Sequence, residues 1–336
     1  MPQVGLKVQA ASIAALLLLA SAGFHDSALA LGLDLEKIKN DLLKGKGSRG
    51  GRQEQIAQVE EQALTLINSG NGESLAMARQ LLETSSQNGV DSARMHLYLG
   101  RIYEKAGQND KAVMAYIETL ILAEGSGIDA LSAREELSAL YMRQGNYDEA
   151  GGQLKKILEV SPQDIKSRGN LGICLLQLGY ATASLDEFKR VLQAEPNNFV
   201  ALYNSGLAHT MEREPEKAAL AFEKAVDSGE KSGHPLLPMA YLGLARAYQA
   251  RGQFAFALKM TDKARELAPR SHYVYLSKAE IYEEMKDPAN ALASLRKALQ
   301  VNPHDKSAQQ SLSRIISRQK QLIGQTQSLS QPQKMQ

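Results

Sequence analysis

The sequence repeats itself every 34 residues. Pro162 and Pro196 are 34 positions apart, and Gly145 and Gly179 show the same spacing. A fixed step of this length indicates one small structural unit that recurs along the chain. Such a unit cannot bury its apolar face alone, so neighbouring units must stack on one another. The sequence therefore favours an extended array over a compact globular domain.

One unit, residues 165–198, shows the pattern in detail. It holds two helix-length stretches in which apolar residues recur every three or four positions, with Gly179 between them and Pro196 after the second. Glycine accepts the positive φ that often follows a helix. Proline ends the second helix because it lacks an N–H and obstructs the preceding turn. The unit is predicted to be a helix–turn–helix.

Two positions of the unit indicate how its helices pack. Position eight holds a small residue, which lets the two backbones approach where the helices cross. Position twenty-four mostly holds a large residue, which fills the space beside that crossing. In the six clear copies, position eight is Gly100, Ser138, Gly172, Gly206, Ala245 and Ala279, and position twenty-four is Tyr116, Leu154, Phe188, Phe222, Thr261 and Leu295.

These residues and this period resemble the tetratricopeptide repeat, and the resemblance covers about residues 59–305. It implies an all-α fold, a right-handed α-solenoid of stacked helix–turn–helix repeats. The predicted repeats are a degenerate one at 59–92 and clear ones at 93–126, 131–164, 165–198, 199–232, 238–271 and 272–305.

The segments around the repeats follow from composition. Two insertions, at 125–130 and 229–237, shift the phase and are predicted to be loops because they are rich in turn-forming residues. A capping helix is expected over 306–322. The Gln-rich tail at 323–336 is expected to be disordered.

The first 30 residues are typical of a secretory signal peptide. Lys7 precedes an uncharged run from Ala11 to Phe24, which is too short to span a bilayer comfortably. Ala28 and Ala30 then form a small-x-small cleavage pattern. Cleavage after Ala30 would give a periplasmic or secreted protein without a membrane span, and the alternative is an N-terminal anchor in the inner membrane. Residues 31–58 are predicted to be a short helix and a Gly-rich basic linker.

Composition and spacing exclude several functions. The formal net charge of +2 does not indicate nucleic acid as a partner. Cys174 is the single cysteine, so the chain has no internal disulfide or cysteine-based zinc site, and we expect this thiol to be buried. The six histidines lack metal-ligand spacing, and His209 is expected to pack in the core. We predict a chain that is no enzyme and holds no metal or cofactor.

A glycine pattern near the start of the chain also carries no activity. Gly45, Gly47 and Gly50 formally fit the G-x-G-x-x-G dinucleotide pattern. That pattern binds phosphate only inside a strand–helix–strand unit, and no such unit surrounds it. A flexible linker is the preferred interpretation.

In tetratricopeptide repeat proteins the first helices line a concave groove, so the resemblance implies a surface for a protein or peptide partner. The expected wall is basic in the early repeats, apolar in the middle, and acidic at Glu280, Glu283 and Glu284. The predicted groove residues are Arg101, Lys166, Asn170, Ile173, Tyr203, Asn204, Leu207, Met211, Met239 and Arg246.

Asn170 and Asn204 hold position six of adjacent repeats, where an amide can pair with the backbone of an extended peptide. The alternative is that both are polar wall residues without a binding role. The expected function is a non-enzymatic scaffold or adaptor. Resemblance to exported bacterial members implies envelope, secretion or pilus assembly. The alternative function is a self-associating scaffold, in which the degenerate first repeat of one copy occupies the groove of another.

Overall fold

The computed structural model describes residues 49–124 and 127–329, with side chains for 51–124 and 127–321. All regular structure in these residues is helical, which confirms the predicted all-α array of stacked helix–turn–helix repeats. The predicted signal peptide, the linker before residue 49 and the tail after residue 329 lie outside the described residues. Among the helices of the described residues, none combines the length and the hydropathy that crossing a membrane requires.

The described residues form fifteen helices. They are α1 (Arg49–Ser69), α2 (Gly72–Gln87), α3 (Ala93–Lys105), α4 (Asn109–Leu122), α5 (Gly127–Gln144), α6 (Tyr147–Val160), α7 (Ile165–Gln177), α8 (Ala181–Ala194), α9 (Phe199–Met211), α10 (Pro215–Ser232), α11 (Leu237–Ala250), α12 (Phe254–Leu267), α13 (His272–Glu284), α14 (Pro288–Val301) and α15 (Lys306–Leu329).

The chain divides into two compact units, Met1–Gln163 and Asp164–Gln336. Unit 1 contains α1–α6 and unit 2 contains α7–α15. Within each unit, the two helices of a repeat pack together, and the first helices of successive repeats also touch, as α3 does with α5 and α9 with α11. This second set of contacts forms the wall on which a binding surface can be built.

The helices of each repeat pack where the sequence places a small residue opposite a large one. A Cβ built on Gly172 would lie 2.6 Å from the ring of Phe188, and one on Gly206 would lie 2.7 Å from the ring of Phe222. Both distances are shorter than any normal contact between two carbon atoms that are not bonded to each other. Phe188 and Phe222 are fully buried. Glycine at position eight is therefore required wherever an aromatic ring stands at position twenty-four.

Both insertions, predicted as loops, are partly helical, and residues 233–236 of the second form the expected loop. Helix α5 already begins at Gly127, and α10 continues to Ser232. Glycine weakens a helix interior by about 1 kcal/mol, but Gly229 in α10 permits a close approach, since a Cβ there would lie 2.8 Å from Phe199. Tertiary packing thus keeps the segment around Gly229 helical, although its local composition favours a loop.

Both ends of the described chain are also more helical than the sequence suggests. Helix α1 begins at Arg49, inside the predicted linker, and α15 extends through residue 329, inside the predicted tail. Glutamine is a good helix former, so a Gln-rich segment can extend a helix that packing has begun. The predicted cap is present, because Ala308 and Ile315 of α15 are buried against α14.

In all six clear repeats, the residue at position fifteen, in the turn between the two helices, has the same left-handed backbone conformation. Gly107, Gly145, Gly179 and Gly252 hold this position with φ between 70° and 86°. In the remaining two copies the residues there are Arg213 and Lys286, and they too have positive φ, 58° and 59°. The geometry of the repeat thus imposes a left-handed turn even where the sequence does not supply glycine.

We expect Arg213→Gly to raise the free energy of unfolding by about 0.5–1 kcal/mol. A left-handed conformation costs an L-residue roughly 1–2 kcal/mol, and the greater entropy of glycine in the unfolded chain offsets part of the gain. Urea denaturation followed by circular dichroism measures the change. Ala106→Gly, one position earlier in another repeat at a φ of −83°, should instead lower stability. A loss of stability in Arg213→Gly would contradict this account of the turn.

Candidate functional site

A cavity of about 550 Å³ lies in unit 2, between the first helices α9, α11 and α13 and the start of α15. Four of the predicted groove residues lie in its lining: Tyr203, Leu207, Met239 and Arg246. The other predicted residues lie elsewhere. The structure therefore brings the middle of the predicted surface together at one place.

The spacing of the lining residues explains why they share a face. Positions five and nine of each repeat are one helical turn apart, so their side chains point in the same direction. In three successive repeats these positions contribute a pair to the cavity. The pairs are Tyr203 and Leu207, Leu242 and Arg246, and Leu276 and Glu280.

Aromatic packing fixes the base of the cavity. The ring of Tyr203 stacks on Phe199 at 6.1 Å and meets the edge of Phe222 at 5.8 Å. Burial raises the pKa of Tyr203, against an opposing effect from Arg246, so its hydroxyl stays protonated and can donate a hydrogen bond. Tyr273, in contrast, is 54% exposed at the rim. The ring of Tyr273 packs against His272 at 4.0 Å, so the cavity combines a packed floor with an exposed aromatic side chain at the rim.

One ion pair crosses the cavity wall. Arg246 Nη2 lies 3.8 Å from Glu280 Oε2, and both side chains are more than half exposed. Burial raises the pKa of Glu280, Arg246 opposes the rise, and Glu283 and Glu284 add to it. Glu280 thus presents a partly exposed hydrogen-bond acceptor at the cavity. A ligand with an N–H group, neutral or cationic, could donate to it.

The predicted residues of α7 do not line this cavity. Ile173 packs in the same cluster as Leu207, Asn170 is half-buried, and Lys166 is exposed. Met211, at the end of α9, is exposed and does not line the cavity. The binding role of these four residues stays a prediction.

Asn204 differs from Asn170. Its side chain is only 9% exposed, and its Nδ2 donates to the carbonyl of Val200 at 2.8 Å. The amide is engaged within its own helix, so the two asparagines do not present equivalent groups to a peptide. Asn204 therefore contributes no free amide to the wall of the cavity.

In unit 1, carboxylates neutralise the wall that was expected to be basic. Arg101 Nε donates to Glu136 Oε1 at 2.9 Å, and Arg94 lies 3.3 Å from Asp129. Exposed ion pairs of this kind contribute about 0–1 kcal/mol each, so their main effect here is to cancel charge. Arg101 is thus placed as a contact between the first helices of neighbouring repeats.

The acidic end of the expected wall is likewise paired. Arg314 of the capping helix donates to Glu283 at 2.7 Å, and Gln249 donates to Glu284 at 2.9 Å. Side chains of neighbouring helices thus engage Glu283 and Glu284 at this end of the predicted surface.

Sequence reasoning missed some lining residues. Leu276 occupies position five and could have been found by applying that position to the last repeat. His272 and Asp305 lie 3.3 Å apart at the entrance, where α13 and α15 begin. Their place depends on how the cap packs, which the period of the repeat does not encode.

The remaining chemically notable side chains are structural. Cys174 is fully buried, as predicted, and burial raises the pKa of its thiol to about 11. His209 is mostly buried, and its Nδ1 lies 2.8 Å from Glu214. Among the described residues, no three His, Cys, Asp or Glu side chains converge as metal ligands.

Comparison with known families confirms the repeat. Tetratricopeptide repeat profiles match residues 68–127, 135–199, 171–234 and 272–305. The chain belongs to the tetratricopeptide repeat family. Residues 238–271 lie outside these matches, yet α11 and α12 form the same helix pair there.

Solved structures of the family share the fold. A tetratricopeptide repeat protein from Parabacteroides merdae is 16% identical, with a TM-score of 0.57 over 78% of this chain and 98% of that one. The C-terminal part of a repeat-containing protein from Cytophaga hutchinsonii is 17% identical, with a TM-score of 0.55 over 76% and 99%.

A third similar structure is the Cut9–Hcn1 hetero-tetramer of the APC/C. It is 16% identical, with a TM-score of 0.54 over 87% of this chain and 56% of that one. Identities this low establish the fold alone. A search among curated proteins gives no match.

Proposed function

We propose that this chain is a non-enzymatic scaffold that binds a short segment of another protein in the cavity of unit 2. Tetratricopeptide repeats are protein-interaction modules, and the chain belongs to that family. The observation that supports the site is the wall formed by positions five and nine of three successive repeats, which carries three leucines beside one ion pair. A volume of about 550 Å³ accommodates a few side chains rather than a folded domain.

The chemistry of the wall suits an apolar segment with a donor at one end. Leu207, Met239 and Leu276 offer partly exposed apolar surface, and covering it contributes about 25 cal/mol for each Å² removed from water. Arg246 and Glu280 provide one donor and one acceptor at the rim, which would orient the segment. Methionine adapts its shape to different partners.

The cellular process follows from where the protein works. We propose export through the N-terminal segment, with cleavage after Ala30, to the periplasm or the exterior. An exported scaffold of this family would serve envelope, secretion or pilus assembly. The N-terminal anchor remains the alternative and would hold the repeats at the inner membrane.

Substitution at the rim tests the cavity. We expect peptides selected from a random displayed library to bind the full-length protein, and Tyr273→Ala to weaken that binding about tenfold, since a contact worth about 1.4 kcal/mol is lost. Tyr180→Ala is the matched control, because Tyr180 is similarly exposed, at 61%, but lies outside the cavity. Isothermal titration measures both. Equal loss in the two variants, or none in Tyr273→Ala, would refute the site.

The export proposal has its own test. We expect N-terminal sequencing of the protein from its native cells to begin at Leu31, because signal peptidase accepts small residues at Ala28 and Ala30. Ala30→Lys should block processing and leave a longer chain on a gel. A mature protein that begins at Met1 would show that the segment is retained.

A further inference from the structure

Helix α4 of unit 1 is apolar on the side that faces solvent. Met114, Ile117 and Ile121 lie along this side and are 71%, 40% and 62% exposed. The opposite side is the ordinary packing face, on which Ala112 and Tyr116 are fully buried. A surface helix normally carries polar residues on its outer face. We call the three exposed residues the α4 stripe.

The other repeats show that the fold does not need this stripe. The α4 stripe occupies positions twenty-two, twenty-five and twenty-nine of its repeat. In the other five clear copies, positions twenty-five and twenty-nine carry only charged or amide side chains. They are Lys155 and Glu159, Lys189 and Gln193, Glu223 and Asp227, Asp262 and Glu266, and Arg296 and Gln300. Packing within a repeat therefore does not require apolar residues at positions twenty-five and twenty-nine.

The geometry of the stripe is that of a helix–helix seam. Its residues are spaced by three and four positions, the a–d–a pattern of a heptad, over about 10 Å of helix. Lys111 and Glu118 flank it on one side, both at the e position of this pattern. In the part of the chain that the structure describes, neither forms an ion pair, and Lys111 lies 5.5 Å from the ring of Tyr103.

We propose that the α4 stripe is where a second copy of this chain docks, with the two α4 helices antiparallel about a two-fold axis. A two-fold contact uses the same patch on both copies, and a uniformly apolar stripe is complementary to itself. In an antiparallel pair the e positions face each other. In the register that packs Met114 against Ile117 of the second copy, Lys111 meets Glu118 of that copy and Glu118 meets Lys111, while Ile121 lies over Asp110 at the start of the second helix.

The arrangement also sets how strong the association can be. A contact centred on one helix buries less than the roughly 1,200 Å² of a standard stable interface. The dimer should therefore be reversible and depend on protein concentration. It is independent of the cavity in unit 2, so it does not rest on the proposed peptide binding.

Sedimentation of the full-length protein at several concentrations tests the dimer. We expect the mass to rise toward that of two chains, and Ile117→Lys to raise the dissociation constant about tenfold or more, since it places a charge in the apolar seam. Lysine already stands at this position in two other repeats, as Lys155 and Lys189, so the fold accepts it. Leu220→Lys is the control. Leu220 is 53% exposed at position twenty-two of another repeat, without a stripe, and its replacement should leave the mass unchanged.

A charge exchange tests the antiparallel arrangement. Lys111→Glu alone should weaken the dimer, because two glutamates would then face each other at each end of the seam. Adding Glu118→Lys restores both opposite-charge pairs and should recover the original dissociation constant. A mass of one chain at every concentration, or no effect of Ile117→Lys, would overturn the proposed interface. A double variant as weak as Lys111→Glu would overturn the antiparallel order.

Discussion

The contact between position eight of the first helix and position twenty-four of the second governs the rest of the structure. Where position eight is glycine, position twenty-four is aromatic, as in Gly172 with Phe188. Where position eight carries a Cβ, position twenty-four is smaller, as in Ala279 with Leu295. The two positions together fill one volume, so each repeat reaches a similar helix pairing with different residues.

The contact between positions eight and twenty-four determines which residues of each helix face the binding surfaces. Once position eight faces the second helix, positions five and nine of the same helix face the wall, where Arg246 and Leu242 line the cavity. On the second helix, burial of position twenty-four turns positions twenty-two and twenty-five outward, where the α4 stripe lies. The outer face, where the α4 stripe lies, can therefore vary without disturbing the core, whereas the inner wall shares Tyr203 and Leu207 with it.

The sequence predicts the parts of this protein that depend on period, and fails where a side chain finds an unforeseen partner. Helix pairs and turn glycines follow from the 34-residue step, and the family resemblance implies the four cavity residues. Arg101 was expected to make the wall basic, but Glu136 of the next repeat pairs with it. Asn204 was expected either to pair with a peptide backbone or to be a polar wall residue, and its Nδ2 donates to the carbonyl of Val200. The helical insertions were missed because local composition does not show the packing on Gly229.

A double-mutant cycle between Gly172→Ala and Phe188→Leu tests the central contact most directly. Alanine alone should lower the free energy of unfolding by about 1–2 kcal/mol, although alanine favours a helix by about 1 kcal/mol, because its Cβ meets the ring of Phe188. Gly152→Ala, at a helical glycine with open space around it, should instead raise stability. The account predicts that the double variant loses less stability than the sum of the two single losses, by about 1 kcal/mol or more, because leucine leaves room for the added Cβ, whereas additivity within about 0.5 kcal/mol would contradict it.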